Sequence, residues 1–315
     1  TASGLAPHRS GRLCDLGAHM QMDQLFAAQA LTANGVGSGL REQLIEDSMY
    51  MLILHEIGHT LGLTHNMRAS QLQPNVFDES AVAATGLSGS VMDYEAVNVA
   101  PPGQPQTPFY QNRPGLYDLW AIEYGYAPSL ADDSAEQQRL ETLLARSTEP
   151  ELAYGNDADD MRRPGRGIDP HINIYDHSGD AVGYAEQRLQ LVRTMRSDLL
   201  KNHRGETYQA LYNSHVLLMN QLSRSGGVVS RYVGGVHINR APPGTSEVPP
   251  YRAVDAGQQR RAMKVLATYI FAPDALAGSE RVSQHLQQQR RGFDFYEEPE
   301  DPKLHEMMLS VQKRI

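Results

Sequence analysis

The chain has 315 residues, of which 40% are hydrophobic and 21% are charged, a composition typical of a globular protein with a sizeable core. Its formal net charge of −9 argues against a nucleic acid or an anionic membrane surface as a partner, because both select a basic face. Its apolar runs are too short to predict a membrane-spanning helix. Cys14 is the only cysteine, so an internal disulfide is excluded and cysteine usage leaves the compartment undecided.

The spacing of apolar residues predicts a mostly helical chain. The first helix follows Leu13, and the second, over 41–64, is apolar nearly all round, which predicts burial in the middle of a domain. A strand or hairpin is predicted for 228–238. Loops rich in proline or glycine are predicted for 101–115 and 154–180. Further helices are predicted over 116–128, 131–147, 181–202, 206–224, 256–271, 273–290 and 302–313.

Four chemically active residues lie in one short apolar segment, LHEIGHTLGLTHN, residues 54–66. His55 and His59 are four positions apart, so a helix places both imidazoles on one face, close enough to hold one metal ion. Gly62 can take the left-handed conformation that ends a helix, after which the chain can return His65 as a third ligand. Three imidazoles with an open fourth position are typical of a catalytic zinc site.

Glu56 follows the first histidine and indicates the chemistry of this site. Zinc lowers the pKa of its bound water to about 7, and a neighbouring carboxylate can pass that water's proton to a leaving amine. The predicted reaction is therefore peptide hydrolysis without a covalent intermediate. One alternative is a buried helix with incidental histidines, which the cost of burying unpaired polar groups disfavours. Another alternative takes Glu79 as the third ligand in place of His65.

The segment HEIGHTLGLTH is similar to the extended zinc motif of the metzincin metallopeptidases. The later segments SGSVMDYEAVN and GLYDLWAIEYGY look like the bacterial Met-zincin family, which is related to the metallopeptidase subunit of a bacterial toxin. This resemblance implies that Met92 forms an apolar floor beneath the ligands without binding the metal. It also implies that Tyr94 assists the developing oxyanion or occupies the empty metal position. A core methionine and a packing tyrosine are the alternatives.

The resemblance implies an α+β zincin-like fold, predominantly α-helical in this chain. Metzincins place a twisted sheet ahead of the zinc helix, whereas residues 1–40 predict loop and helix. We therefore expect the strands of that sheet upstream of Thr1, in a longer chain. Residues 1–127 are predicted to hold the catalytic centre, and residues 128–315 to form a mostly helical region that packs on it. The resemblance further implies an exported bacterial protein, periplasmic, outer-membrane-associated or secreted.

Weaker patterns concern other residues. The aspartates Asp157, Asp159 and Asp160 predict a calcium site, against the alternative of a solvated acidic loop. Cys14 could cap the zinc as a thiolate, although a buried free cysteine fits its helical pattern better. Several histidines outside the motif have no ligand spacing and are predicted to be surface or hydrogen-bonded core residues: His171, His177, His215 and His237.

Taken together, these patterns predict a zinc-dependent endopeptidase of the metzincin clan. His55, His59 and His65 would bind one catalytic zinc ion, and Glu56 would be the general base. The partner would be a protein or peptide substrate. The alternative function is a catalytically silent, zinc-containing protein that docks a protein or glycan. Substrate preference and oligomeric state have no signal in the sequence.

Overall fold

The computed structural model describes residues 16–33, 35, 38–160, 167–276, 279–287 and 303–315. Within these ranges the chain is mostly helical, with one antiparallel pair of short strands, β1 (Val236–Ile238) and β2 (Tyr251–Ala253). The prediction of an α+β, predominantly helical chain is confirmed. The helices are α1 (Leu16–Ala33), α2 (Ser38–Thr60), α3 (Glu79–Thr85), α4 (Leu116–Tyr126), α5 (Asp133–Ala145), α6 (Asp157–Asp160), α7 (Ala181–Ser197), α8 (Leu199–Asn202), α9 (Tyr208–Ser230), α10 (Ala256–Tyr269), α11 (Ser279–Ser283) and α12 (Leu304–Arg314).

The core lies between α1, α7 and α9. Phe26, Leu189 and Leu218, one from each helix, are all 0% exposed. They belong to one hydrophobic cluster that runs from Leu16 in α1 to Val311 in α12. Because α2 packs along α1, this core supports the helix that carries the zinc motif.

One face of α2 departs from the prediction of a helix buried all round. The inner face, with Leu44, Met51 and His55, is buried, because α1 packs along it and Val91 and Met92 cover its C-terminal end. The described part of the chain covers the outer face only in part. The apolar residues of this face, with Leu61 just after the helix, recur every fourth position and are each 38% or more exposed: Ile45, Met49, Ile53, Ile57 and Leu61.

Two other predicted elements also differ. The predicted strand 228–238 is wrong in its first part, since α9 continues to Ser230 and only Val236–Ile238 is strand. Tertiary packing explains this, because Val228 and Val229 are buried in the main hydrophobic cluster as part of α9. Gly226 lets the same helix approach the end of the chain, since a Cβ there would lie 2.4 Å from the Ile315 side chain. The predicted helix 181–202 is interrupted at Asp198.

The predicted helix 273–290 lies partly outside the described residues, and within them only Ser279–Ser283 is helical.

No strand occurs within 16–33 or 38–60, so the expectation of sheet strands upstream of Thr1 stays a prediction. None of the described helices is long and apolar enough to cross a membrane. The proposed boundary at residue 127 likewise stays a prediction.

Candidate metal centre

The end of α2 brings the three motif histidines together. The helix stops after Thr60, and Gly62 takes φ +86°, a left-handed conformation that suits glycine. The Leu63 N–H then donates to the Gly58 carbonyl at 3.0 Å and the Gly62 N–H to the His59 carbonyl at 3.1 Å, which is the hydrogen-bond pattern of a Schellman cap. This sharp reversal lets the chain bring His65 back beside the helix.

The three imidazoles form a compact cluster. Each offers one ligand atom, and these atoms lie within 4.8 Å of one another. The ring centroids are 4.7 Å apart for His55 and His59, 4.8 Å for His59 and His65, and 5.2 Å for His55 and His65. One metal ion can therefore contact all three rings.

One nitrogen of each imidazole is already engaged. The Nδ1–H of His55 donates to the Val91 carbonyl at 2.7 Å, and that of His59 to the Leu63 carbonyl at 3.1 Å. The Nδ1–H of His65 donates to the Asp157 carboxylate at 2.7 Å. Since these acceptors hold the proton on Nδ1, they select the tautomer whose Nε2 lone pair is available to a metal.

The donor set fits a zinc ion. The Nε2 atom of His59 is buried and has no hydrogen-bond partner within the described part of the chain, which is costly unless an ion takes its lone pair. The pKa of His55 is lowered to about 3, mainly by burial and also by the neighbouring His65 and His59, against the opposing hydrogen bond to Val91. The ring is therefore neutral at pH 7, as a ligand must be.

A buried turn packs beneath the histidines. Met92 is 0% exposed, and its sulfur lies so close to α2 that a Cβ added at Gly58 would be 2.3 Å from it. The Asn66 N–H donates to the Met92 carbonyl at 2.9 Å, which ties this turn to the loop of the third histidine. Gly58, for which the motif gave no signal, is therefore part of the support.

Asp118 fixes the same turn from α4. Its carboxylate accepts from the Val91 N–H at 2.9 Å and from the Gly115 N–H at 2.8 Å, and the Ser90 hydroxyl also donates to it. Burial raises the pKa of this carboxyl. Because Val91 supplies the acceptor of His55, Asp118 indirectly orients that imidazole. This gives a physical role to the aspartate of the GLYDLW segment.

The other predicted site residues occupy different positions. Glu56 is exposed on α2, one residue after His55. Tyr94 is 1% exposed, and its ring centroid lies 4.8 Å from that of His65 and 5.6 Å from that of His55. Glu79 is the exposed first residue of α3 and is not part of the histidine cluster, so the geometry favours His65 over it.

The aspartates of the predicted calcium site have other contacts. Asp157 accepts from His65, and Asp159 pairs with Arg240 and accepts from the Asn156 N–H at 3.1 Å. Neither belongs to a potential metal cluster of the described residues, and the side chain of Asp160 lies outside them. The calcium prediction thus gains no support.

Cys14, the predicted thiolate cap, also lies outside the described residues.

Fold and site together define a mostly helical protein with a three-histidine cluster that could hold a metal ion, above a buried methionine turn. A model of the Met-zincin family matches residues 37–315, nearly the whole chain, and the chain therefore belongs to that family. Searches of curated proteins and of solved structures each return no match. Family membership and the histidine cluster together indicate a centre of the zinc metallopeptidase type, and the zincin-like fold class follows from the family.

Proposed function

We propose that the chain is a zinc-dependent endopeptidase in which His55, His59 and His65 hold the metal and Glu56 is the general base. One observation carries the proposal: each histidine has its Nδ1–H tied to a fixed acceptor, and a carboxylate follows the first of them on α2. A structural zinc site would usually be closed by a fourth protein ligand. Among the described histidines, cysteines and acidic residues, none joins the three.

The chain's own residues would divide the work of hydrolysis. Zinc, when bound, supplies a Lewis acid that polarises a peptide carbonyl and acidifies water. The Glu56 carboxylate takes a proton from the attacking water and delivers it to the leaving nitrogen. The Tyr94 phenol donates a hydrogen bond to the oxyanion that develops on the substrate. Met92 keeps the floor of the site dry without contacting substrate.

The substrate would be a protein or peptide, and the centre would lie within residues 1–127, with 128–315 packed on it. One contact already links the two regions, since Asp157 of the second region accepts the Nδ1–H of His65. We further propose an extracytoplasmic location, which rests on the family resemblance and which the lack of a membrane-spanning helix among the described residues does not oppose.

A catalytically silent binding protein is the second candidate. One observation favours it: the two-stranded β1–β2 pair is the only sheet among the described residues, and α2 has none beside it to bind a substrate backbone by strand addition. In that case the zinc centre would be structural, and the helical region would dock a protein or glycan. Glu56 beside the ligands argues against this, because a structural centre needs no base.

Cleavage of a mixed peptide library, read by mass spectrometry, tests both candidates. Zinc-loaded parent protein should cut, and Glu56→Gln should cut at least about 100-fold more slowly with unchanged zinc content, because the amide cannot accept a proton. Glu46→Gln is the matched control, an exposed glutamate earlier on α2, and should cut like the parent. Equal cutting by Glu56→Gln would refute the role of Glu56. Zinc binding without any cutting would favour the binding protein.

A further inference from the structure

A second group of metal-binding side chains lies outside the three-histidine centre. Asp169, His171 and His237 each offer one ligand atom, and these atoms lie within 4.8 Å of one another. Asp169 is 1% exposed, and the imidazole centroids of His171 and His237 are only 4.1 Å apart. Two imidazoles and a buried carboxylate therefore converge on one point, which residue spacing did not indicate.

The contact between His237 and Asp169 has a distance that suits a metal site. Nδ1 of His237 lies 3.4 Å from Oδ1 of Asp169, beyond the usual range for an N–H···O hydrogen bond. Two ligand atoms bonded at about 2.1 Å to one tetrahedral metal ion lie about 3.4 Å apart. The pair is therefore already at the separation that a shared ion requires.

The Asp169 carboxylate is held in place through its other oxygen. Oδ2 accepts from Arg68 Nη1 at 3.1 Å and from the Ile238 N–H at 3.0 Å. Oδ1, the oxygen toward His237, accepts from the His171 N–H at 3.0 Å. An oxygen atom of a carboxylate accepts two bonds, so the second lone pair of Oδ1 faces the long His237 contact and can bind a metal placed between the two side chains. Such outer contacts orient ligands in known metal sites.

The backbone around this group is also fixed. His237 is the middle residue of β1 and lies opposite Arg252 of β2. The Val236 N–H donates to the Ile168 carbonyl at 2.8 Å, which joins the strand to the segment of the other two ligands. A site built on a strand and a tied loop needs little rearrangement to bind an ion.

We propose that Asp169, His171 and His237 form a second binding site for a divalent transition-metal ion. Imidazole and carboxylate donors suit zinc and its first-row neighbours. Arg68 lies three residues after His65 in the sequence, so an ion here braces the loop that returns the third histidine of the first centre. The existence of this site does not depend on peptidase activity.

Metal stoichiometry tests the proposal. Metal-free protein is loaded with Zn²⁺ at pH 7.5, passed through a desalting column and analysed for metal per chain. The parent should retain two equivalents, His171→Gln one, and His59→Gln one. His305→Gln, which changes an exposed histidine of α12 outside both clusters, should retain two. One equivalent in the parent that His171→Gln does not lower would overturn the second site.

The variants that lose a metal equivalent distinguish the two centres. If the parent holds one equivalent that His171→Gln removes and His59→Gln keeps, the first centre is refuted and the second stands. If the parent holds one equivalent that His59→Gln removes and His171→Gln keeps, the second centre is refuted and the first stands.

Histidine carbethoxylation of the parent, mapped by peptide mass spectrometry, gives a test that needs no variant to fold. Zn²⁺ should slow modification of His171 and His237 at least tenfold and leave His305 unchanged, and equal rates with and without Zn²⁺ would overturn the proposal.

Discussion

His65 depends on a side-chain partner, unlike His55 and His59, which depend on backbone carbonyls. Asp157 lies 92 positions later and accepts the Nδ1–H of His65 at 2.7 Å, whereas the other two histidines donate to backbone carbonyls. A carboxylate acceptor raises the basicity of the imidazole as well as fixing its ring. His65 is therefore the motif histidine whose support a single side-chain substitution can remove.

Asp157→Ala should weaken zinc binding about 10- to 100-fold, because loss of an outer-shell partner frees the ring and lowers its basicity. Asp157→Asn is the matched control, since its amide oxygen can still accept from His65, and should fall between parent and alanine variant. Competition with a zinc-binding dye measures both affinities. Equal affinity of Asp157→Ala and parent would show that the contact does not support the ligand.

Gly58 has no side chain, and this leaves space for Met92 beneath the centre. The Met92 sulfur occupies the space in which a Cβ would lie, at 2.3 Å. Gly58→Ala should therefore cost about 1–3 kcal/mol of unfolding free energy by overpacking a buried contact, despite the better helix propensity of alanine.

Urea unfolding of metal-free protein measures the effect of Gly58→Ala. Gly125→Ala in α4 is the control, because no atom lies within 4 Å of the added Cβ, and it should leave stability unchanged or raise it by about 1 kcal/mol. If Gly58→Ala were as stable as Gly125→Ala, Met92 would have to have another place to pack.

At the scale of elements, α2 has two unlike faces that its sequence does not distinguish. Both carry apolar residues every third or fourth position, so hydrophobic periodicity predicts burial all round. In the fold, Met51 is 1% exposed and Ile53 is 50% exposed, two positions apart. The amount of water removed from each side chain therefore differs greatly between the two faces.

Met51→Ala should cost about 2–5 kcal/mol, the usual range for a large core residue cut to alanine. Ile53→Ala should change stability by less than about 0.5 kcal/mol, because its side chain already faces solvent and alanine favours a helix. Chemical unfolding of both variants gives the comparison. A cost for Ile53→Ala near that of Met51→Ala would mean that the outer face is covered in solution.

At the scale of the whole molecule, a buried acidic residue couples stability to pH. Burial raises the pKa of Glu95 from 4.5 to about 7, against a hydrogen bond from the Gln111 N–H at 2.7 Å. His177 lies 3.7 Å away, but its pKa is lowered to about 3 by burial, so it carries no compensating charge at neutral pH. Folded Glu95 therefore keeps its proton up to about pH 7.

Between pH 4.5 and 7 the folded chain holds a proton at Glu95 that the unfolded chain has released. The free energy of unfolding should therefore fall as pH rises through this window, by up to about 3 kcal/mol from this group. Glu95→Gln keeps the acceptor for Gln111 and cannot ionise, so its stability should fall less. Urea unfolding of metal-free parent and variant at pH 5 and 7 measures the difference. Parallel pH dependence would show that Glu95 does not titrate there.

The sequence by itself determined that the three motif histidines lie close together, because a four-residue spacing on a helix and a glycine after it are local properties of the chain. It also determined the helical character of the fold, through apolar periodicity. Both depend on interactions between residues close in sequence. The Met-turn and Tyr94 came from family resemblance, and the zincin-like class rests on the same family.

Only the tertiary structure decided what supports and surrounds these residues. Contacts between segments distant in the chain place Asp157 at His65, Asp118 behind the methionine turn, and His237 beside Asp169 and His171. Which face of α2 is exposed likewise depends on where the other elements pack. Sequence periodicity indicates which side chains are apolar enough to favour burial. The packing of other elements decides which of these side chains are buried.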